Sequence, residues 1–226
     1  MSSVECLIRR LNALEQGELP KNLIEFLEKS DLISFIDLFV FEEACKIIKS
    51  WENTKLYNVK AATNFSRATI IKHQYSLADM LNAICNKYKV DKKSLVLEIT
   101  ETFDEAEARD NFYQLINNLN DNGFKVSIDD FGSGYANFQI LREDFFKEIK
   151  FDISLVKSID SNPKSLTILS KIIELCKELR EMTLIMEGIE NLQQLKLLEE
   201  LKCDVGQGCL FDRPMPVEEF VKKYGK

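Results

Sequence analysis

The chain contains only one histidine, His73, among its 226 residues. A Ser-His-Asp hydrolase site or a multi-histidine metal site would have to be built around that single residue. The six cysteines form no Cys-x-x-Cys pair and have no partner histidine, so neither a zinc site nor a disulfide framework is indicated. We therefore expect carboxylates to carry any catalysis, in a reducing cytoplasmic setting.

Long apolar runs are also missing from the chain. The longest, from Leu32 to Phe41, is interrupted by Ser34 and Asp37 and is far shorter than the roughly 20 residues of a membrane helix. The net charge of −7 favours contact neither with long nucleic acid nor with an anionic membrane surface. Only four prolines occur and no low-complexity tract interrupts the chain, so we expect a single domain over residues 1–226.

Seven short β-branched or apolar runs predict strands. They are Val4 to Ile8, Val59 to Thr63, Leu95 to Ile99, Lys125 to Ile128, Glu148 to Phe151, Thr183 to Met186 and a segment around Val205. Apolar residues recur at helical spacing between most of these runs, and Ser76 with Asp79 resembles the capping pair that begins a helix. Strands that alternate with helices imply parallel pairing, and six or seven such units favour an α/β, TIM-like (β/α) barrel over a flat doubly wound sheet.

Polar side chains lie at or just after the ends of the predicted strands from the second onward. They are Asn64, Glu98, Asp129 with Asp130, Lys150 with Asp152, Glu187 and Gln207. One such residue alone usually begins a loop or caps a helix. Because barrel enzymes place their chemistry at the carboxyl ends of the strands, the repetition predicts that these groups meet at one rim.

The adjacent carboxylates of Asp129 and Asp130 are the sharpest of these signals. They follow an apolar strand and precede a turn that contains two glycines. Like charges so close together raise each other's pKa unless a cation neutralises them. With Glu98 and Asn64 expected nearby, the pattern predicts an all-oxygen site for Mg²⁺ or Mn²⁺.

Four segments of the chain carry family motifs. Residues 97–101 read LEITE, residues 126–135 VSIDDFGSGY, residues 186–190 MEGIE and residues 203–216 CDVGQGCLFDRPMP. In order and spacing they resemble the motifs E(L/I)TE, DDFG(T/S)GY, AEGVE and QGxLFxRPxP of the EAL-domain phosphodiesterases, which hydrolyse the bacterial messenger cyclic di-GMP. Residues 5–7, ECL, would be the tripeptide that names the family. Family members carry a further strand before that tripeptide, so the resemblance implies a domain that is short at its N-terminus and a barrel that lacks its first strand.

The resemblance also implies roles for individual residues. Metal ligands, direct or through water, would be Glu5, Asn64, Glu98, Asp129, Asp130, Asp152 and Glu187, which together would hold two Mg²⁺ or Mn²⁺ ions. The catalytic set would be Lys150, which would hydrogen-bond the attacking water, Glu187, and Glu101, which would anchor the loop after Asp130. The substrate-binding set would be Arg9, which would contact a phosphate, with Leu7 and Gln207.

The function implied by the resemblance is hydrolysis of cyclic di-GMP to linear pGpG by a metal-activated water, which ends second-messenger signalling. The alternative is a catalytically inactive EAL-like protein that serves as a cyclic di-GMP receptor or as a protein-interaction module. A homodimer is also expected. Its interface would use an apolar cluster that otherwise packs an outer helix against the barrel, namely Tyr135, Phe138, Leu141, Phe145 and Phe146.

Overall fold

The computed structural model of the chain describes residues 1–12, 15–17, 21–100, 106–133, 138–179 and 182–225. The chain divides into two compact units. The first unit comprises Met1–Ile99, Phe103–Lys125 and Met215–Lys226, and the second comprises Thr100–Thr102 and Val126–Pro214. Among the described residues, no helix is both long enough and apolar enough to cross a membrane.

The first unit is built on three parallel strands with helices between them. Its elements in chain order are β1 (Ser3–Glu5), β2 (Arg10–Asn12), β3 (Glu15–Gly17), α1 (Lys21–Lys29), α2 (Ile33–Ser50), β4 (Lys60–Phe65), α3 (Arg67–Lys72), α4 (Leu77–Tyr88), β5 (Leu95–Thr100) and α5 (Ala106–Asp121). Strand β4 pairs in parallel with both β1 and β5, which sets Glu5 opposite Ala62 and Asn64 opposite Glu98. The short strands β2 and β3 pair with each other, antiparallel.

The second unit repeats the pattern with four parallel strands. Its elements are β6 (Lys125–Phe131), β7 (Glu148–Phe151), α6 (Ile153–Val156), α7 (Pro163–Leu179), β8 (Thr183–Met186), α8 (Leu192–Glu200) and β9 (Val205–Gly206), after which α9 (Val217–Tyr224) returns to the first unit. The strands pair in the order β6, β7, β8, β9. Helix α8 begins with a capping box, in which the side chains of Asn191 and Gln194 accept each other's backbone N–H groups.

Helix α2 supplies much of the packing in the first unit. Its buried residues recur every three or four positions and are Ile33, Ser34, Asp37, Phe41, Ala44, Cys45 and Ile48. The ring of Phe41 meets Phe65 of β4 and Phe124 edge to face, with centroid distances of 6.0 and 6.2 Å. At the end of α2, Trp51 stacks on Phe220 at 5.5 Å, which attaches α9 to this unit.

The predicted strands and their parallel pairing are confirmed, and two local expectations need correction. Each of the seven predicted runs overlaps a strand, and every pairing described among these seven strands is parallel. Helix α4 does begin after Ser76, but the Ser76 side chain makes no capping hydrogen bond. Its backbone, with φ −121° and ψ −9°, is not in the extended conformation that aims a capping hydroxyl at the free N–H groups. The hydroxyl approaches the sulfur of Met80 instead, at 3.9 Å.

The second correction concerns the apolar cluster considered for a dimer interface. Leu141 and Phe146 are buried, so these two residues pack within the unit and contribute no apolar surface. Phe145 is half-buried, and its ring lies 4.7 Å from that of Phe146. Tyr135 and the side chain of Phe138 lie outside the described part of the chain.

One member of the buried stripe on α2 is a carboxylate, Asp37, which is only 7% exposed. Its Oδ2 accepts the backbone N–H of Ser66 at 2.8 Å and the hydroxyl of Thr69 at 2.6 Å. It thereby satisfies polar groups in the first turn of α3, where the Ser66 hydroxyl also caps the N–H of Thr69. Burial raises the pKa of Asp37, and the hydrogen bonds from Thr69 and Ser66 offset this only in part.

The raised pKa of Asp37 makes stability depend on pH with a defined sign. The folded state holds the Asp37 proton to higher pH than the unfolded chain does. The resulting contribution to the free energy of unfolding is complete below about pH 4 and is lost as pH rises through the pKa that Asp37 has in the folded state. An Asp37→Asn variant keeps an oxygen acceptor and does not ionise. We expect the variant to gain stability relative to the native chain as pH rises from 4 to 8, measured by urea unfolding at each pH. A difference that stays constant over this range would contradict the assignment.

Candidate functional site

In the second unit, a one-residue bulge in β6 brings two neighbouring carboxylates to the same place. Ile128 lies opposite Ile149 of β7 and Phe131 lies opposite Phe151, so three steps along β6 match two along β7. Asp130, inside the bulge, has a φ of 54°. Consecutive side chains of a regular strand point to opposite faces, whereas a bulge redirects one of them. One oxygen from each of Asp129, Asp130 and Glu187 therefore lies within 4.8 Å of the others.

A buried lysine neutralises part of this acidic group. Lys150 of β7 is 1% exposed, and its Nζ lies 2.9 Å from Oδ1 of Asp129 and 2.7 Å from Oε1 of Glu187. Strand β7 lies between β6 and β8, so the Lys150 side chain can reach both Asp129 in β6 and Glu187 just after β8. Removing an ammonium group from water is costly unless such partners are present. The two ion pairs thus hold Lys150 Nζ at the centre of the group.

The chemistry of this donor set fits a hard divalent cation. Three carboxylates face one ammonium group, which leaves two negative charges in excess when all of them are ionised. All the donors are oxygen atoms, which Mg²⁺ and Mn²⁺ prefer, and a cation removes the repulsion between neighbouring carboxylates. Asp129, Asp130 and Glu187 can therefore hold such an ion together.

Asp152, the fourth candidate ligand of the second unit, is not one of these three residues. Its side chain accepts the backbone N–H of Ser154 at 2.9 Å and so caps the short helix α6. Its own backbone N–H donates to the carbonyl oxygen of Phe131 at 3.1 Å. In the structure Asp152 therefore acts as a helix cap that ties the end of β7 to the end of β6.

The first unit contributes a second polar group at the ends of its strands. The side-chain amide of Asn64 donates to Oε1 of Glu5 at 2.7 Å, and Glu98, which is buried, lies opposite Asn64 in the strand register. Burial, followed by the negative charges of Glu98 and Glu5, raises the pKa of Cys6 to about 12. The electrostatic potential at these strand ends is therefore negative, which suits a cation.

Three of the residues predicted to bind the substrate or to anchor the loop after Asp130 lie in the described part of the chain, and the fourth does not. Arg9 donates from Nη1 to the carbonyl oxygen of Ile8 at 3.0 Å, and the Leu7 side chain is exposed. The backbone N–H of Gln207 donates to the Met186 carbonyl at 2.8 Å, which joins β9 to β8. Glu101 lies outside the described residues.

Two glycines that follow the acidic strand ends are not among the residues predicted from the sequence to have a role. Gly132 comes two residues after Asp130 and has a φ of 92°, and Gly188 comes directly after Glu187 and has a φ of 72°. Residues with a Cβ rarely adopt such backbone angles. A glycine one or two residues after the polar residue at a strand end is the sequence signal that predicts these turns.

Comparison with known proteins identifies similar chains. A family model described as "EAL domain" matches residues 1–214. The chain is 32% identical over 223 residues to "Signaling protein YkoW" of Bacillus subtilis (strain 168). The aligned region covers 97% of this chain and 27% of that protein. It is 29% identical over 231 residues to "Cyclic di-GMP phosphodiesterase NbdA" of Pseudomonas aeruginosa, covering 98% of this chain and 28% of the relative. The chain thus spans little more than a quarter of the length of these two relatives.

Solved structures with the same fold include proteins with bound nucleotide. One described as "PaMucR Phosphodiesterase, c-di-GMP complex" superposes with a TM-score of 0.86 at 28% identity, covering 97% of this chain and 87% of that one. Another, "Structure of EAL Enzyme Bd1971 - cAMP and cyclic-di-GMP bound form", gives a TM-score of 0.86 at 25% identity over 99% of this chain and 60% of the other. With the parallel strands described above, these matches confirm the predicted α/β, TIM-like (β/α) class.

Replacing Lys150 by methionine tests the balance of charge in the second unit. The variant leaves Asp129 and Glu187 without their ammonium partner, so we expect the free energy of unfolding in EDTA to fall by about 3 kcal/mol. Added Mn²⁺ should restore more stability to the variant than to the native chain, because the ion replaces the missing positive charge. Urea unfolding followed by circular dichroism measures both effects.

The matched control is Lys147→Met, because Lys147 is exposed just before β7. Its free energy of unfolding should change by no more than about 0.5 kcal/mol. If the Lys150→Met and Lys147→Met variants were equally stable, the two buried ion pairs of Lys150 would not stabilise the folded chain as expected.

Proposed function

Because this chain belongs to the EAL domain family, we propose that it is a metal-dependent phosphodiesterase that hydrolyses cyclic di-GMP to linear pGpG. The observation that carries the proposal is the position of Lys150 Nζ, which lies between Asp129 and Glu187 in a group that also includes Asp130. A donor set of carboxylates with one fixed ammonium group suits hydrolysis of an anionic diester. The name of the relative NbdA and the cyclic di-GMP complex of MucR support the same substrate.

The proposed cofactors are two Mg²⁺ or Mn²⁺ ions bound through carboxylate and amide oxygens. Asp129, Asp130 and Glu187 hold them in the second unit, with Asp152 as a further ligand. In the first unit the proposed ligands are Glu5, Asn64 and Glu98, of which Glu5 accepts the side-chain amide of Asn64 at 2.7 Å. When bound, such ions lower the pKa of a coordinated water and offset negative charge on the phosphate.

The protein's own groups orient the reactants. Lys150, fixed by its two carboxylate partners, donates a hydrogen bond to the attacking water and limits the directions from which that water can approach. Water adds to one phosphorus atom of the cyclic dinucleotide, and the bond from that phosphorus to a ribose oxygen breaks. The products of this single cleavage are a terminal phosphate and a free hydroxyl group, as in pGpG.

The remaining proposed roles concern the substrate and the assembly. Arg9 contacts a phosphate, Leu7 and Gln207 line the substrate site, and Glu101 anchors the loop after Asp130. An arginine supplies the positive charge that an anionic ligand needs on a chain whose net charge is −7. We further propose that the chain acts in the cytoplasm as a homodimer, through an interface that does not include the buried Leu141 and Phe146.

A turnover assay tests the proposed reaction. Incubation of the purified chain with cyclic di-GMP and Mg²⁺ or Mn²⁺, followed by chromatography, should show pGpG in proportion to the substrate consumed. Replacement by Ca²⁺ or the change Glu5→Ala should stop the reaction. We expect Lys150→Met and Glu187→Gln to lower kcat by about 100-fold or more, because each removes a charge at the reacting centre.

The control for the charge changes is Glu178→Gln, on the exposed end of α7, which should stay within about twofold of the native rate. Circular dichroism with Mn²⁺ present establishes that each variant is folded. If the folded, metal-loaded chain binds cyclic di-GMP and releases no pGpG, the catalytic proposal is wrong and the receptor alternative is favoured.

A further inference from the structure

The short helix α6 packs against both glycines that follow the acidic strand ends. A Cβ atom added to Gly132 would lie 2.5 Å from Cδ1 of Leu155, and one added to Gly188 would lie 2.1 Å from Cγ1 of Ile153. Separations below 3.0 Å are essentially never seen for real Cβ atoms. At Gly188 the added atom would also lie 2.8 Å from Cβ of Ile153, which side-chain rotation cannot move, so only glycine allows α6 to approach this loop so closely. At Gly132 the nearest atom is the movable end of Leu155, and the φ of 92° is what favours glycine there.

Backbone hydrogen bonds fix the position of α6 relative to the same strand ends. The N–H of Asp152, the capping residue, donates to the carbonyl of Phe131 at the end of β6. The N–H of Glu187 donates to the carbonyl of Phe151, the last residue of β7, at 3.1 Å. At the other end of the helix, Val156 is fully buried. These hydrogen bonds and the buried Val156 fix the position of α6 independently of the contacts that Ile153 and Leu155 make with the two glycines.

We infer that Ile153 and Leu155 are positioning residues that set the spacing between the Asp129–Asp130 pair and Glu187. Leu155 contacts Gly132, two residues after Asp130, and Ile153 contacts Gly188, directly after Glu187. One turn of helix therefore contacts both loops. The inference rests on the proposed metal-dependent function, because the spacing matters only if the three carboxylates share an ion. Neither side chain has to touch the ion or the substrate.

The exposure of Ile153 makes it the better residue to test. Its side chain is 43% exposed, so truncation should remove little buried surface and should cost little stability. A matched control is Ile168 of α7, an isoleucine that is 56% exposed. Ile153→Val is the conservative variant, because valine keeps a γ carbon like Cγ1, the atom of Ile153 that lies closest to the Gly188 turn.

The experiment measures the dissociation constant for Mn²⁺ by isothermal titration calorimetry on the full chain without nucleotide. We expect Ile153→Ala to weaken Mn²⁺ binding about tenfold, as loss of a supporting contact commonly does. Ile153→Val and Ile168→Ala should stay within about twofold of the native value. Gly188→Ala should weaken binding by forcing the loop away from Ile153, and adding Ile153→Ala should then recover part of the loss, since the clash with Cγ1 and Cδ1 is removed.

A second readout does not depend on the metal. In metal-free protein, hydrogen exchange of the segment 184–190 should accelerate in Ile153→Ala and should not change in Ile168→Ala. If the native chain binds Mn²⁺ and Ile153→Ala binds it equally well with unchanged exchange, the positioning role is wrong while the proposed function stands. If the native chain binds no Mn²⁺, the metal site fails and this inference fails with it.

Discussion

The pairing of one buried ammonium group with two carboxylates is the interaction on which the candidate site depends. Without Lys150, the side chains of Asp129, Asp130 and Glu187 would repel one another, most strongly at Asp129, which is buried and poorly screened by water. With it, the group tolerates close approach of its oxygens and still keeps an excess of negative charge for a cation.

The local structure of the second unit is arranged around this group. The bulge in β6 turns two consecutive carboxylates toward one place, and the Asp152 cap starts a short helix directly behind Lys150. Glycines at positions 132 and 188 let that helix approach the loops on either side. Each feature gives up some regular hydrogen bonding or some backbone freedom, which is the usual pattern where a fold positions functional side chains.

Much of the fold was predictable because parallel strands leave a plain signal. Segments such as Leu95 to Ile99 and Thr183 to Met186 are short apolar runs bounded by polar residues, and both are strands at nearly those limits. The polar residues at their ends followed from the same signal, so Glu98 and Glu187 were expected at the carboxyl ends. The motif around Asp129 then identified which strand carries the paired carboxylates.

Other features depend on contacts that the linear pattern does not contain. The burial of Leu141 and Phe146 follows from packing within the second unit, since an apolar residue in a loop reads the same whether it is covered or exposed. Asp152 follows a strand, as a proposed ligand does, and its additional role as the cap of α6 depends on a local hydrogen bond that this position alone does not predict. Asp37 appeared as an interruption of an apolar run and is in fact a buried partner of α3.

The most direct test of the account is the location of a divalent ion by anomalous diffraction from crystals of the chain grown with Mn²⁺. The account predicts a strong anomalous peak about 2.1 Å from oxygen atoms of Asp129, Asp130 and Glu187, with Lys150 Nζ within hydrogen-bonding distance of a water next to that peak. An anomalous peak at another place in the chain, with these three carboxylates in contact with Lys150 and with no ion at saturating Mn²⁺, would contradict the account.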